Sequence, residues 1–166
     1  MKRATTGRIL KIGLLISLIS ATVCTSLYAC MSMNGYTSTV DLSKVDLERG
    51  AMYVLEDPEP VGVCVVTDEG NGILELKNIA VSPAVQGRGY GRAMLKFLQS
   101  HYREQYRLLQ AGTGDSPLTV PFYEACGFRR SHVIPDFFTQ YYDHPIFEAS
   151  FFLSLCLYPH ATYAPR

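Results

Sequence analysis

The chain has 166 residues, 48% of them hydrophobic and 18% charged, which suits one domain with a buried core and argues against wholesale disorder. Fifteen basic residues balance fifteen acidic ones, so the composition excludes a nucleic-acid-binding protein that works through a general basic field. The charges are unevenly spread, because residues 1–40 carry four basic side chains and no acidic one. This basic start and the more acidic remainder therefore need separate interpretations.

Residues 1–35 form a basic, apolar N-terminal segment that allows three interpretations. Basic residues before the apolar run 12–19 have the form of a signal peptide, and residues 27–30 (LYAC) resemble a lipoprotein cleavage site. Residues 9–29 are also long enough for a weak membrane-spanning helix, which would anchor the protein or associate it loosely with a membrane. Alternatively, residues 1–5 form a first strand and residues 8–19 a buried amphipathic helix of the same domain. We favour this last interpretation, which makes the protein soluble and cytoplasmic.

Three short strands are predicted in the next part of the chain, after a short helix over residues 41–49 that Gly50 ends. Residues 51–55, 61–67 and 73–81 are rich in aliphatic side chains, and turn-forming Pro, Gly and Asn residues separate them. Such separators favour antiparallel hairpins.

A helical period follows over residues 91–106, where apolar residues recur at the spacing of one helix face. The next predictions are a short strand at residues 108–111 and a helix over residues 117–126, which Asp115 or Ser116 caps and Gly127 ends.

Strands at residues 128–134 and 150–157 complete the predicted order. Strands and helices in this order predict an α/β fold, with a mixed sheet and helices packed on its faces. The domain would span residues 36–157, and residues 158–166 would form a loose tail.

A glycine-rich turn between the third of these strands and the first long helix is the segment best suited to chemistry. Glycines at positions 87, 89 and 91 let backbone N–H groups approach a ligand, and the start of a helix adds partial positive charge. Arg88 and Arg92 add full charges, so the turn suits a compact anion such as a diphosphate. The chain has no GxxxxGK[ST] P-loop, and its GxGxG spacing differs from the GxGxxG of dinucleotide-binding folds.

The segment Val81-x-Pro83-x-x-Gln86-x-x-Gly89-x-Gly91 resembles the acetyl-CoA signature of the GNAT superfamily of N-acetyltransferases. Residues 122–128 (FYEACGF) resemble the second motif of that family, at the expected distance. The resemblance covers residues 50–128 and extends towards residue 157. It implies a mixed, mostly antiparallel GNAT-type sheet with helices on both faces, and acetyl-CoA as the co-substrate.

The resemblance also implies where acetyl-CoA binds. In this family it lies in an opening between the fourth and fifth strands, pairs with the fourth strand through its pantetheine arm, and places its diphosphate on the glycine-rich turn. The residues that would bind the cofactor here are Ile79, Ala80, Val81, Gln86, Gly87, Arg88, Gly89, Tyr90, Gly91 and Arg92.

Two residues are the catalytic candidates under this resemblance. Tyr123 matches the tyrosine that protonates the departing thiolate, and a phenol can serve as such an acid. Glu75, on the fourth strand, is the candidate base, although several relatives carry a glutamate where this chain has Gln110. A backbone N–H near Ile79 would stabilise the oxyanion. Many relatives have an asparagine where this chain has Asp115, so that contact with the pantetheine arm is in doubt.

The acceptor would be a primary amine on a small molecule or a peptide, and dimers are frequent in the family. Two other functions remain open: a degenerate GNAT domain that binds acyl-CoA with little turnover, and a membrane-anchored or exported binding protein that reuses the fold. The aromatic residues 137–142, predicted as a loop, are suited to line the acceptor pocket.

No metal site is expected, because the four histidines are scattered without ligand spacing. The cysteines are odd in number and lack a CxxC pair, which favours free buried thiols over disulfides. They are Cys24, Cys30, Cys64, Cys126 and Cys156.

Overall fold

The computed structural model describes residues 8–12, 50–141, 143–148, 151–153 and 155–163. Its helices are α1 (Tyr90–Tyr102), α2 (Thr119–Ala125) and α3 (Phe137–Tyr141), and Pro83–Val85 forms a 3₁₀ turn. Its strands are β1 (Arg8–Ile12), β2 (Gly50–Glu56), β3 (Pro60–Asp68), β4 (Ile73–Val81), β5 (Leu108–Ala111), β6 (Thr113–Gly114), β7 (Arg129–Ile134), β8 (Ile146–Glu148), β9 (Phe151–Leu153) and β10 (Cys156–Thr162).

One sheet contains eight of the described strands. Its order is β1-β2-β3-β4-β5-β10-β6, with β7 paired to the other edge of β10, while β8 and β9 form a separate hairpin. Only the β4–β5 pairing is parallel among the described strands; the others are antiparallel. The predicted α/β fold with a mixed, mostly antiparallel sheet is therefore confirmed.

The core lies between one face of the sheet and helices α1 and α2. Met94, Leu95 and Leu98 are fully buried on α1, at the spacing that predicts this helix. They share one cluster with β2–β5 and with the second helix. Val54, Val63 and Val65 alternate with core residues along their strands and are also buried, on the opposite face. The prediction of helices on that second face falls outside the described residues.

The start of the chain corrects one prediction. Residues 8–12 were expected to begin a helix, but they form β1, which pairs antiparallel with β2 from Arg8↔Glu56 to Ile12↔Met52. A short apolar run fits a strand as well as a helix, and the edge of β2 provides a partner for the strand. The strand predicted at residues 1–5 and the helix at residues 41–49 lie outside the described residues.

The end of the chain also differs from the sequence-based prediction. Residues 158–166 were expected to be a loose tail, and a strand was expected at residues 150–157. The range 150–157 contains β9 and the first residues of β10, and β10 continues through the predicted tail to Thr162. β10 lies between β7 on one edge and β5 with β6 on the other. Pro159 disfavours a strand, but here it sits at a bulge in the β10–β7 pairing and is buried. The aromatic segment predicted as a loop contains the short helix α3.

No helix among the described residues is long and apolar enough to span a membrane.

Candidate active site

Strands β4 and β5 separate partway along their length. They pair from Ile73↔Leu108 to Leu76↔Ala111, and then β6 turns away to pair with β10. Beyond Leu76, β4 continues to Val81 and is paired with β3 on its other edge. Among the described residues, the edge of β4 over residues 77–81 therefore has no strand beside it. Its free backbone groups can pair with an extended ligand that carries amides, as an added strand would.

A bulge lies at the point where the two strands separate. The β3–β4 register shifts between Val65↔Asn78 and Val66↔Leu76, so Lys77 has no partner in β3. Such bulges bend a strand and are common beside functional sites. Ile79, Ala80 and Val81 follow on the open edge, where the resemblance places the pantetheine arm.

The glycine-rich turn follows this edge directly. The Gln86 side chain donates a hydrogen bond to the Val81 carbonyl at 3.0 Å, so it folds the turn back onto the end of β4. Gly87 and Gly89 have φ angles of 75° and 93°, which favour glycine. Gly89 is the N-cap of α1, and its carbonyl accepts the hydrogen bond from the Ala93 N–H.

The N-terminus of α1 presents backbone donors beside this turn. The N–H groups of the first turn of a helix have no acceptor within it, and these belong here to Tyr90, Gly91 and Arg92. Arg88 and Arg92 are exposed and add positive charge. These groups lie together at the end of the open edge of β4, an arrangement suited to the compact anion that the sequence predicts.

Contact between helices α1 and α2 brings the two sequence motifs together. A Cβ at Gly91 would lie 3.2 Å from Cζ of Phe122, so this glycine allows the aromatic ring to pack on the helix start. Tyr123 is 6% exposed and its ring centre lies 5.3 Å from that of Phe122. It belongs to the same buried cluster as Leu76 and Ala111, the last pair of the β4–β5 ladder.

Helix α2 begins at Thr119, two residues later than predicted, with Leu118 as its N-cap and no capping side chain, so the prediction that Ser116 or Asp115 caps it is wrong; Ser116 instead shapes the turn that leads into the helix. The Ser116 hydroxyl accepts a hydrogen bond from the Leu118 N–H at 3.1 Å, and its carbonyl accepts one from the Val120 N–H at 3.2 Å. Asp115, the other predicted cap, instead lies 3.5 Å from a nitrogen of Arg130.

Glu75 lies on the opposite face of β4 from the neighbouring core residues. Its Oε1 is 2.7 Å from Lys77 Nζ, and its Oε2 accepts a hydrogen bond from Gln110 Nε2 at 2.8 Å. The contact with Gln110 follows from the parallel register, which pairs these two residues. The side chain is 12% exposed, so the carboxylate is largely enclosed.

Lys77 connects two acidic side chains beside the opening. Its Nζ also lies 3.1 Å from Glu69, whose Oε1 accepts a hydrogen bond from Thr67. Burial opposes the charge on Lys77, but the hydrogen bonds and charges of Glu75 and Glu69 prevail and raise its pKa. Lys77 is thus held as a cation against the candidate base.

Tyr158 adds an aromatic wall on the same face. A Cβ at Gly112 would lie 3.3 Å from its ring, and the ring stacks on His132 with centres 4.6 Å apart. Burial, with a smaller contribution from the negative charge of Glu75, raises the pKa of Tyr158 to about 12. Local sequence patterns do not identify this residue, because the pairing of β10 brings it here.

Tyr90 contributes more than a backbone amide. It is 7% exposed, and its hydroxyl donates a hydrogen bond to Asp57 Oδ2 at 2.7 Å, which raises the pKa of the phenol. Asp57 lies in the turn between β2 and β3, 33 residues earlier in the chain. No local motif marks it as part of this site.

The described residues contain no group of three His, Cys, Asp or Glu side chains that could hold a metal ion. Cys64, Cys126 and Cys156 are free and buried. Cys24 and Cys30 lie outside the described residues.

Comparison with known proteins gives consistent results. The family model for the acetyltransferase (GNAT) domain matches residues 48–130. The uncharacterized N-acetyltransferase YvbK of Bacillus subtilis (strain 168) is 33% identical over 105 residues, which are 61% of this chain and 68% of the relative.

Solved structures share the fold. A GNAT family acetyltransferase from Elizabethkingia anophelis with acetyl-CoA bound superposes with a TM-score of 0.78 at 22% identity, covering 96% of this chain and 99% of the other. A Bacillus subtilis acetyltransferase in complex with CoA gives a TM-score of 0.75 at 25% identity, covering 94% and 98%.

Proposed function

Because the chain belongs to the GNAT acetyltransferase family and is an acyltransferase, we propose that it transfers the acetyl group of acetyl-CoA to a primary amine. One observation carries this proposal: the open edge of β4 over residues 77–81 leads directly into the anion site at the start of α1. A ligand with an amide-bearing arm and a diphosphate satisfies both parts at once. Acetyl-CoA has this form, and it is bound in the Elizabethkingia anophelis structure.

The cofactor residues divide into two groups in this proposal. The backbones of Ile79, Ala80 and Val81 pair with the pantetheine arm. The amides from Gly87 to Arg92, with the guanidinium groups of Arg88 and Arg92, receive the diphosphate, and Gln86 fixes the turn through the Val81 carbonyl.

The reaction we propose is direct attack within a ternary complex. The amine nitrogen forms a bond to the acetyl carbon while the bond from that carbon to sulfur breaks, and a backbone N–H near Ile79 stabilises the oxyanion. Tyr123 gives its proton to the departing thiolate, and Glu75 takes the proton that the amine loses. The two residues approach the end of the β4–β5 ladder from opposite faces of the sheet.

The contacts that Glu75 already makes within the protein favour a second candidate function. Lys77 and Gln110 already occupy its two carboxylate oxygens, so an incoming ammonium group has to compete with Lys77 for Oε1. A site that kept this ion pair closed would bind acyl-CoA with little turnover, as a degenerate member of the family.

Acetylation of a panel of small-molecule and peptide amines, followed by mass spectrometry of both products, tests the proposed function. The wild-type protein is expected to form acetylated amine and free CoA in equal amounts. Tyr123→Phe should retain CoA binding and lose roughly 10²–10⁴-fold in turnover, the usual contribution of an acid catalyst. CoA binding without any acetylated product across the panel would favour the degenerate alternative.

We propose a cytoplasmic location, because acetyl-CoA is an intracellular metabolite and because Arg8–Ile12 forms a strand of the same sheet as the site. Intact-mass measurement of the expressed full chain checks this proposal. Removal of the N-terminal segment or lipid attached at Cys30 would instead indicate an exported or anchored protein. We also propose that the acceptor is a small-molecule or peptide amine and that the protein forms homodimers. Both points can be tested on the same purified protein.

A further inference from the structure

The side chain of Tyr90 connects the start of α1 to the turn between β2 and β3. It extends from the first residue of the helix, is 7% exposed, and donates its hydroxyl to Asp57 Oδ2 at 2.7 Å. Asp57 is itself fixed in its turn, since its N–H donates to the Glu59 carbonyl at 2.8 Å. A short hydrogen bond to a carboxylate is among the stronger kinds in proteins.

This hydrogen bond acts on a segment that is otherwise exposed. Gln86, Gly87, Arg88 and Gly89 all have exposed side chains or backbone. Two of the four are glycines, whose ordering costs more conformational entropy than that of other residues. Gln86 fixes the beginning of the turn to Val81, and Tyr90 fixes its end to Asp57. A turn held at both ends has its N–H groups in place before an anion arrives.

Asp57 also brings a negative charge close to a site for negative ligands. The positive charge of Arg88 also acts on the Tyr90 hydroxyl and partly offsets the effect of Asp57 on its pKa, so the carboxylate and the cationic turn both influence this group. A carboxylate there opposes a bound diphosphate, whereas a neutral acceptor at the same position would not.

We propose that Asp57 is a positioning residue of the cofactor site that acts through Tyr90. Its hydrogen bond orders the diphosphate-binding turn, and its charge weakens the binding of CoA enough to favour product release. The inference rests on the proposed function in one respect, that the anion is the diphosphate of CoA.

Calorimetric titration of CoA into the full chain at low salt tests the proposal. Tyr90→Phe breaks the hydrogen bond and is expected to weaken CoA binding about five- to tenfold. Asp57→Asn keeps an oxygen that accepts from Tyr90 but removes the charge, so CoA should bind about two- to threefold more tightly, and this gain should shrink at high salt. Opposite changes from two residues that share one hydrogen bond are not expected of a merely structural contact.

Tyr106→Phe is the matched control. Tyr106 lies four residues after the end of α1, and its hydroxyl also interacts with an aspartate, Asp68, so its loss should leave CoA affinity unchanged. If Tyr90→Phe does not fold, Asp57→Ala serves instead: it is neutral like Asp57→Asn but cannot accept from Tyr90, so it should bind CoA more weakly than Asp57→Asn.

Three outcomes would overturn the proposal: wild-type affinity in Tyr90→Phe together with equal affinity in Asp57→Ala and Asp57→Asn, equal losses in Tyr90→Phe and Tyr106→Phe, or weaker binding than wild type in Asp57→Asn. Failure of the wild-type protein to bind CoA would count against the proposed function itself. The two failures are therefore distinguishable in one titration series.

Discussion

Glycines of the anion-binding turn are required for different reasons. Gly87 has a φ of +75°, and a Cβ there would meet no atom within 4 Å, so its backbone conformation alone calls for glycine. Gly91 is helical, and a Cβ there would crowd the ring of Phe122 at 3.2 Å. Gly87 therefore shapes the turn, whereas Gly91 sets how closely helix α2 approaches the site.

Gly91→Ala is expected to reduce turnover more than stability. Alanine gains about 1 kcal/mol of helix propensity over glycine, while crowding against Phe122 costs about 1–3 kcal/mol. The net loss of stability is therefore at most about 2 kcal/mol, but the Phe122 ring has to move and the adjacent Tyr123 moves with it. We expect a melting temperature within a few degrees of wild type and a clearly lower kcat for acetyl transfer.

The Phe122→Leu variant, which has a smaller side chain at this position, is the control for this prediction. In the double variant with Gly91→Ala, kcat should recover relative to Gly91→Ala alone, because leucine leaves room for the new methyl group. Wild-type kcat in Gly91→Ala would contradict a role for this contact in placing Tyr123.

At the scale of elements, a buried pair of hydroxyl groups joins β2 to the last turn of α1. The Tyr53 and Tyr102 oxygens lie 2.7 Å apart, and the two residues are 1% and 7% exposed. Burial and this hydrogen bond raise the pKa of Tyr53. Because both hydroxyl groups are buried away from water, each relies on the other as its hydrogen-bond partner.

Tyr102→Phe is expected to destabilise the protein by about 1–3 kcal/mol, because the Tyr53 hydroxyl stays buried without its partner. Urea denaturation measures this loss. The double variant Tyr53→Phe/Tyr102→Phe should be closer to wild type, since it removes both polar groups together. A single variant as stable as wild type would show that Tyr53 finds another partner.

Local signals predict the elements whose ends are marked by turn residues. The bounds of β4 and β5 are predicted as observed, because Gly, Pro and Asn mark where these strands end. β10 is missed because Pro159 argues against a strand, and only a bulge in its pairing with β7 accommodates the proline. Arg8–Ile12 is mistaken for helix because the edge of β2, which makes it a strand, cannot be recognised in the short run itself.

The same distinction applies to the candidate site. The glycine-rich turn and its position before α1 are predictable because its glycines and arginines lie close together in the chain. The contacts of Tyr90 with Asp57 and of Glu75 with Gln110 are not, since they join residues 33 and 35 positions apart. They depend on how β2, β4 and β5 are placed in the folded sheet, which no local pattern records.

Across the whole molecule, buried thiols and phenols are kept in their neutral forms. Burial raises the pKa of Cys64 to about 12 and that of Cys156 to about 11, from an ordinary value of 9.0. Burial likewise raises the pKa values of Tyr158 and Tyr163 to about 12, from 10.0. The Tyr163 hydroxyl is buried without a hydrogen-bond partner among the described residues. The folded protein therefore holds these protons more tightly than the unfolded chain.

These buried groups are expected to leave stability unchanged between pH 7 and pH 9 and to reduce it as the pH rises from 9 towards 12. The unfolded chain releases its thiol protons near pH 9 while the folded state retains them, so each further rise in pH favours unfolding. A fully buried thiol such as Cys64 contributes a loss on the order of 1 kcal/mol per pH unit in this window. Melting temperatures from pH 7 to 11 measure the decline. Cys64→Ala should have a lower melting temperature than wild type at pH 7, and its melting temperature should decrease less steeply as the pH rises. Parallel curves of melting temperature against pH for the two proteins would contradict the role assigned to this thiol.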